Sequence, residues 1–362
     1  MQYPPEPSDG PARGMYPPEP SAGPGRGIVD CDIHAATPPV DTLLPYLSEH
    51  WREYIRTSAF KGAVDTAYPP RAPTTIAPGA EPLTNVDQLR EHVLDPSDVE
   101  IGIVNCNYGV DGLHNPDTAL AMAAAVNDWL VAEWLTPEPR VRASLVVPTR
   151  VPEMAAQEID RVGDHPGFVQ VLLPVRSEAP YGNRRYVPIF EAAARHDLVV
   201  SLQFGGAPGN PPTAAGWPSY YVEEYVGMAQ VFQTQVLSMI VEGVFDRFPN
   251  LRVALVEGGW TWLPSLMWRI DKDWKGLRRE VPWNTQPPSR YIRERMRLTL
   301  QPMDASSDPK HVLQIIEALG SDELLLYSSD YPHLHDSRLP DDLPDNVKRK
   351  IMRDNARAFY RL

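Results

Sequence analysis

Cysteine is nearly absent from this chain. Two residues of 362, Cys31 and Cys106, cannot form a disulfide framework and lack the CxxC spacing of a zinc knuckle. Reduced thiols in a cytoplasmic protein are the expected reading. No apolar run reaches the roughly 18 residues of a membrane span, and the first residues lack the apolar core of a signal peptide. A soluble protein without a membrane partner is expected. Positive charge is in deficit, with 34 Lys and Arg against 47 Asp and Glu for a net charge of −13. No basic stripe interrupts that balance, which argues against nucleic acid as a partner. Glycine is missing where a doubly wound nucleotide-binding sheet needs it. The turn after the first apolar run reads Asp32-Ile33-His34-Ala35-Ala36 instead of a glycine-rich phosphate loop.

Proline runs the other way, with 40 copies. Part of the excess is a duplication, since Tyr3–Gly14 recurs almost unchanged as Tyr16–Gly27. Such a Pro/Gly-rich stretch cannot bury a core, so residues 1–26 read as a flexible arm and residues 27–362 as the folded domain. From Gly27 onward, short β-rich runs alternate with helical stretches. Eight are strand-like: Ile28–Asp32, Glu100–Asn105, Val141–Val147, Phe168–Leu173, Leu198–Leu202, Leu251–Val256, Met296–Leu300 and Leu324–Tyr327. Their near-continuous apolar character suits a parallel sheet buried on both faces. Eight strand–helix units over about 335 residues have the size of an α/β (β/α)8 TIM barrel with insertions. Substrate specificity is expected to reside in the Ala59–Leu83 insertion and the Gly205–Trp217 loop. The longest helical stretch, Tyr220–Phe248, is more apolar than one barrel-facing stripe requires, which predicts a homodimer.

In such a barrel the C-terminal ends of all strands share one site. Here those ends carry Asp32 and His34, Asn105 and Cys106, Pro148, Arg176, Gln203, Glu257, Gln301 and Asp330. Asp32 and His34 come from the first strand and Asp330 from the last. Two carboxylates and an imidazole that meet on closure are divalent-cation ligands. Arg176 can clamp a substrate carboxylate, in competition with a salt bridge to Glu178 or another loop acid. Trp217 and Trp260, in the loops after strands five and six, suit a flat aromatic small molecule. His165 and His196 fall at the opposite strand ends and are set aside, and His114 reads as a surface residue.

Four motifs stand in order: Asp32-Ile33-His34, Phe248–Pro264 with Glu257 inside it, Ser329-Asp330-Tyr331-Pro332-His333, and Asn355–Tyr360. Together they resemble the amidohydrolase superfamily over residues 27–362. Within it they resemble the amidohydrolase-related branch that includes aminocarboxymuconate-semialdehyde decarboxylase and the aromatic-acid decarboxylases. The resemblance implies a divalent metal, zinc foremost with manganese possible, on Asp32, His34 and Asp330. Gln203 occupies the strand-five position where the family usually places a histidine, as a weaker metal ligand or a substrate contact. Asp330 is expected to act as general base, with Glu257 standing where the decarboxylases carry histidine. His333 is a further catalytic candidate, and Tyr331 a substrate contact. The activity expected is metal-dependent hydrolysis of an amide, lactone or related bond of a small aromatic molecule, or the reverse cyclisation. The alternative is non-oxidative decarboxylation of an aromatic or enoic acid, and a third reading is a metal-free ligand-binding barrel.

Overall fold

The computed structural model describes residues 27–63, 79–206, 210–333, 335 and 339–362. The duplicated arm, residues 64–78 of the insertion and residues 207–209 of the loop after strand five therefore lie outside the described residues. Eight strands form one sheet in the order of the sequence: β1 (Ile28–His34), β2 (Val99–Asn105), β3 (Val141–Val146), β4 (Phe168–Arg176), β5 (Val199–Gly206), β6 (Val253–Val256), β7 (Met296–Thr299) and β8 (Leu325–Leu326). Every adjacent pair runs parallel. The ring closes between β1 and the chain that follows β8. Cys31 N–H donates to the Tyr327 carbonyl (2.9 Å), Asp330 N–H to Asp32 (3.0 Å), and His34 N–H to Tyr331 (2.9 Å). This is the (β/α)8 barrel that the apolar runs predicted, and closure seats Asp330 against Asp32.

Two apolar layers hold the barrel together. One lies between sheet and outer helices and includes Ile33, Val104, Leu145, Leu173, Leu202 and Leu255. The other fills the lumen with Val29, Cys31, Ile101, Ile103, Ala254, Val256 and Leu326, and Phe359 and Tyr360 of the last helix (Asn355–Tyr360) join it. Alternation along each strand divides its side chains between the two layers. In β1 the register against β2 shifts between Asp30 and Ile33, beside the site residue Asp32.

The helices depart from the sequence reading in one informative place. The stretch Tyr220–Phe248 is two helices, Tyr221–Val241 and Val244–Arg247, and not one. Gly243 separates them at φ +76°, and a Cβ there would lie 2.6 Å from the Trp283 ring. Only glycine fits both the backbone and the packing. On the longer helix Val222 and Val226 are exposed. Among the described residues no helix is long and apolar enough to cross a membrane.

Candidate active site

The top of the barrel gathers four side chains that can hold a metal ion: His34, Glu257, Asp330 and His333, each with a ligand atom within 4.8 Å of the others. The centre is His34 Nε2, which lies 2.7 Å from Asp330 Oδ1, 3.0 Å from Glu257 Oε1 and 3.5 Å from Asp32 Oδ1. It is buried, yet no described group meets it with hydrogen-bond geometry. Asp32 Oδ2 and Gln203 Oε1 are likewise buried and unpartnered. Buried polar atoms left this way cost about 1–3 kcal/mol each. Three carboxylates crowding one imidazole nitrogen outside hydrogen-bond geometry are what a divalent cation would organise, and the mixed imidazole and carboxylate donors suit such an ion.

Local backbone conformation aims the carboxylates. Glu257 and Asp330 both adopt left-handed backbone, at φ +59° and +56°. For residues with a Cβ this costs about 1–2 kcal/mol. Each is pinned in place: Glu257 N–H donates to Thr299 Oγ1 (3.0 Å) and Asp330 N–H to the Asp32 carbonyl. His333 Nδ1 pairs with Asp330 Oδ1 at 2.8 Å, and His335 Nε2 with Oδ2 at 2.6 Å. Burial alone would raise the Asp330 carboxyl, but the charge of His333 and the hydrogen bonds from both imidazoles hold it well below the usual range. Burial would lower His34, yet the charges of Asp32 and Glu257 outweigh it and carry this histidine well above its ordinary value. His333 is raised too, chiefly by Asp330 against its own burial. Asp32 is pushed up to about 6 by burial, with the charge of His34 opposing.

Several residues singled out from the sequence stand elsewhere. Gln203 engages the cluster through its amide nitrogen, and its oxygen has no hydrogen-bond partner. Its Nε2 donates to Glu257 Oε1 (3.1 Å) and Asp32 Oδ1 (3.4 Å), because two carboxylates can only accept. The expected Gln203 ligand is thus an amide brace between two acids. Asp32 borders the four-residue cluster: its Oδ1, 3.5 Å from His34 Nε2, accepts from Asn105 Nδ2 at 2.7 Å, and its Oδ2 is left without a hydrogen-bond partner. Trp260 is fully buried, with its indole N–H spent on the Leu300 carbonyl (3.2 Å), so it is a core residue and not a substrate contact. The Tyr331 hydroxyl donates to the Glu81 carbonyl (3.1 Å) and its ring stacks on His92, which makes it an anchor for the end of the insertion. Arg176 is buried beside Glu224 of the Tyr221–Val241 helix at 3.3 Å, while Glu178 pairs with Arg150 and Arg185. Trp217 is half-exposed in the loop after β5. By its place after Asp330 in the sequence, His335, like His333, could orient a substrate or supply the missing imidazole, and both rings pair with the Asp330 carboxylate.

The chain belongs to the amidohydrolase family, whose model matches residues 29–362. Over 306 residues it is 24% identical to the gamma-resorcylate decarboxylase of Rhodococcus jostii (strain RHA1), covering 77% of this chain and 89% of that enzyme. Its fold is shared with an amidohydrolase from Mycobacterium avium subsp. paratuberculosis K-10, at a TM-score of 0.73 and 21% identity over 94% of this chain and 100% of that one. It is also shared with the 5-carboxyvanillate decarboxylase of Novosphingobium aromaticivorans complexed with manganese and 4-hydroxy-3-methoxy-5-nitrobenzoic acid. There the TM-score is 0.68 and the identity 20%, over 93% of this chain and 97% of that one. The curated relatives overturn the expected hydrolase, for they are gamma-resorcylate decarboxylases and match the alternative reading instead.

Proposed function

We propose that this protein is a metal-dependent, non-oxidative decarboxylase of an aromatic acid, with a hydroxybenzoate as the substrate class. One observation carries the proposal: His34 Nε2 is buried and crowded by Asp32, Glu257 and Asp330 at 2.7–3.5 Å outside hydrogen-bond geometry, in a chain whose curated relatives are gamma-resorcylate decarboxylases. His34, Glu257 and Asp330 would hold the cation, with Asp32 alongside. Manganese is the ion we favour, because a relative of the same fold was crystallised with it and two carboxylates suit a harder ion than zinc. When bound, the ion would supply Lewis acidity toward the substrate carboxylate.

The remaining chemistry falls to the chain. Breaking the bond to the departing carbon dioxide leaves an electron pair on the ring carbon, and that carbon takes up one proton. The Asp330–His333 pair holds a proton over the site, because the aspartate raises the affinity of the imidazole for it. Gln203 braces Asp32 and Glu257 so that neither turns toward the substrate. Trp217, and Arg176 if it exchanges Glu224 for a substituent, are the side chains we assign to ring recognition. Exposed Tyr220, Val222 and Val226 support a second copy of this chain as partner, which sedimentation of the purified protein tests.

The test is carbon dioxide release from 2,6-dihydroxybenzoate, 5-carboxyvanillate and related acids by protein supplied with manganese. Release that chelator abolishes is expected. No release from any acid in the panel would refute the reading.

A further inference from the structure

Barrel lumens are ordinarily filled by aliphatic side chains. Here a file of buried polar groups crosses the lumen from its base to the site. Tyr360, on the helix that closes the base, donates its hydroxyl to Gln170 Oε1 at 2.8 Å. Gln170 Nε2 donates to Ser144 Oγ at 2.7 Å and to Asn105 Oδ1 at 3.3 Å. The Ser144 hydroxyl also donates to Asn105 Oδ1. Asn105 Nδ2 then donates to Asp32 Oδ1 at 2.7 Å. Asp32, Asn105, Ser144 and Gln170 are all 0% exposed and Tyr360 is 6% exposed. The strand register places Ser144 beside Gln170 and Asn105 beside His34.

Every donor in this file points the same way, and its two ends fix that direction. An ionised Asp32 can only accept, so Asn105 must offer its NH2 group and keep its oxygen for Ser144 and Gln170. Gln170 then needs a donor for its own oxygen. The Tyr360 phenol supplies it, since burial pushes that hydroxyl far above its ordinary value and keeps its proton in place. Aligned bonds in a low-dielectric interior polarise one another toward the carboxylate. They engage Asp32 Oδ1 and leave Oδ2 buried without a partner, next to the cation-binding cluster.

We infer that Tyr360, Gln170, Ser144 and Asn105 are positioning residues, which fix the Asp32 carboxylate for the metal and so tie metal affinity to the C-terminal helix. The inference rests on the metal-site reading above. Its test is calorimetric titration of chelator-stripped, full-length protein with manganese, alongside melting temperature. Asn105→Ala should weaken binding about 10-fold, as loss of a partner behind a ligand set does. Tyr360→Phe, which removes one distant oxygen, should weaken it about 3-fold. Gln170→Glu keeps the acceptor for Tyr360 but removes the donor to Ser144, and should weaken binding as much as Asn105→Ala.

The decisive comparison is the double variant. Tyr360→Phe should add nothing once Asn105 is Ala, because the file is already cut at the carboxylate. If Asn105→Ala does not fold, Gln170→Met replaces it in the same cycle. Variants that melt earlier but bind manganese like the wild type would show a purely structural file and overturn the inference. Effects that multiply independently would also overturn it. A wild type that takes up no manganese would instead refute the metal reading, and the inference would fall with it.

Discussion

Two histidines at opposite ends of the barrel show how position changes the meaning of the same side chain. His34 at the top and His196 at the base are each 12% exposed. His196 has both ring nitrogens engaged, Nδ1 by Asp164 at 2.6 Å and Nε2 by Asp160 at 3.0 Å. His34 Nε2 is surrounded by three carboxylates and hydrogen-bonded to none of the described residues. The base also clamps Glu100 between Arg353 and Arg357, which hold its carboxyl below the usual range against the effect of burial. The base spends its charges on stability, whereas the top leaves them unbalanced and pays with strained backbone at Glu257 and Asp330.

The largest expected effect breaks that contrast directly. His34→Ala should lower kcat/KM for decarboxylation by about 10³–10⁴-fold and lose the manganese-dependent part of the melting temperature. His196→Ala should leave kcat/KM within about twofold of the wild type and cost under about 1 kcal/mol, as exposed ion pairs do. Comparable losses from both would erase the distinction between the two ends. Metal removal comes next. With manganese at about 100 times its dissociation constant, chelation should cost about 2.7 kcal/mol of stability, read as a lower melting temperature. Glu257→Gln or Asp330→Asn should abolish that response, and Glu100→Gln should not.

A smaller effect separates buried charge from unsatisfied charge within the top face. Asp111 accepts from Thr149 and from the Arg150 backbone, yet burial pushes its carboxyl up to about 6 despite those bonds. The folded state therefore holds this proton more tightly than the unfolded chain. Stability from this group is fully present below about pH 4 and is lost as pH rises through about 6, by about 2–3 kcal/mol in all. Asp111→Asn should flatten that slope in denaturant titrations, and an unchanged slope would exclude Asp111 as its source. The smallest effect concerns Trp260. Trp260→Phe gives up the bond to Leu300 and should cost about 1–2 kcal/mol while leaving KM unchanged. A raised KM would restore it as a substrate contact.

Much of the barrel was legible in the sequence because a strand buried on both faces must be apolar along its length. Asp32, His34 and Asp330 could be brought together from sequence because ring closure makes the first and last strands neighbours. The bend at Gly243 could not be read, since it depends on Trp283 lying against the glycine from a loop 40 residues onward. The orientation of Gln203 was hidden too. Position alone placed it at the metal, while the acids on either side decide which end of its amide faces them. Ser144 and Gln170 interrupt apolar strands, and that interruption was the available signal for the polar file. Without the register, nothing said that they adjoin each other and Asn105. The hydrolase expectation failed for a different reason, because the cation-binding residues do not encode which bond breaks.

The central claim is that the unsatisfied cluster at the top is a divalent-metal site that drives decarboxylation. Carbon dioxide release from 2,6-dihydroxybenzoate, measured on one preparation stripped of metal and then reconstituted with manganese, tests it most directly. The account predicts no release from stripped protein and restored release as one ion binds per chain. Equal release before and after reconstitution, or none at any manganese concentration across the acid panel, would contradict it.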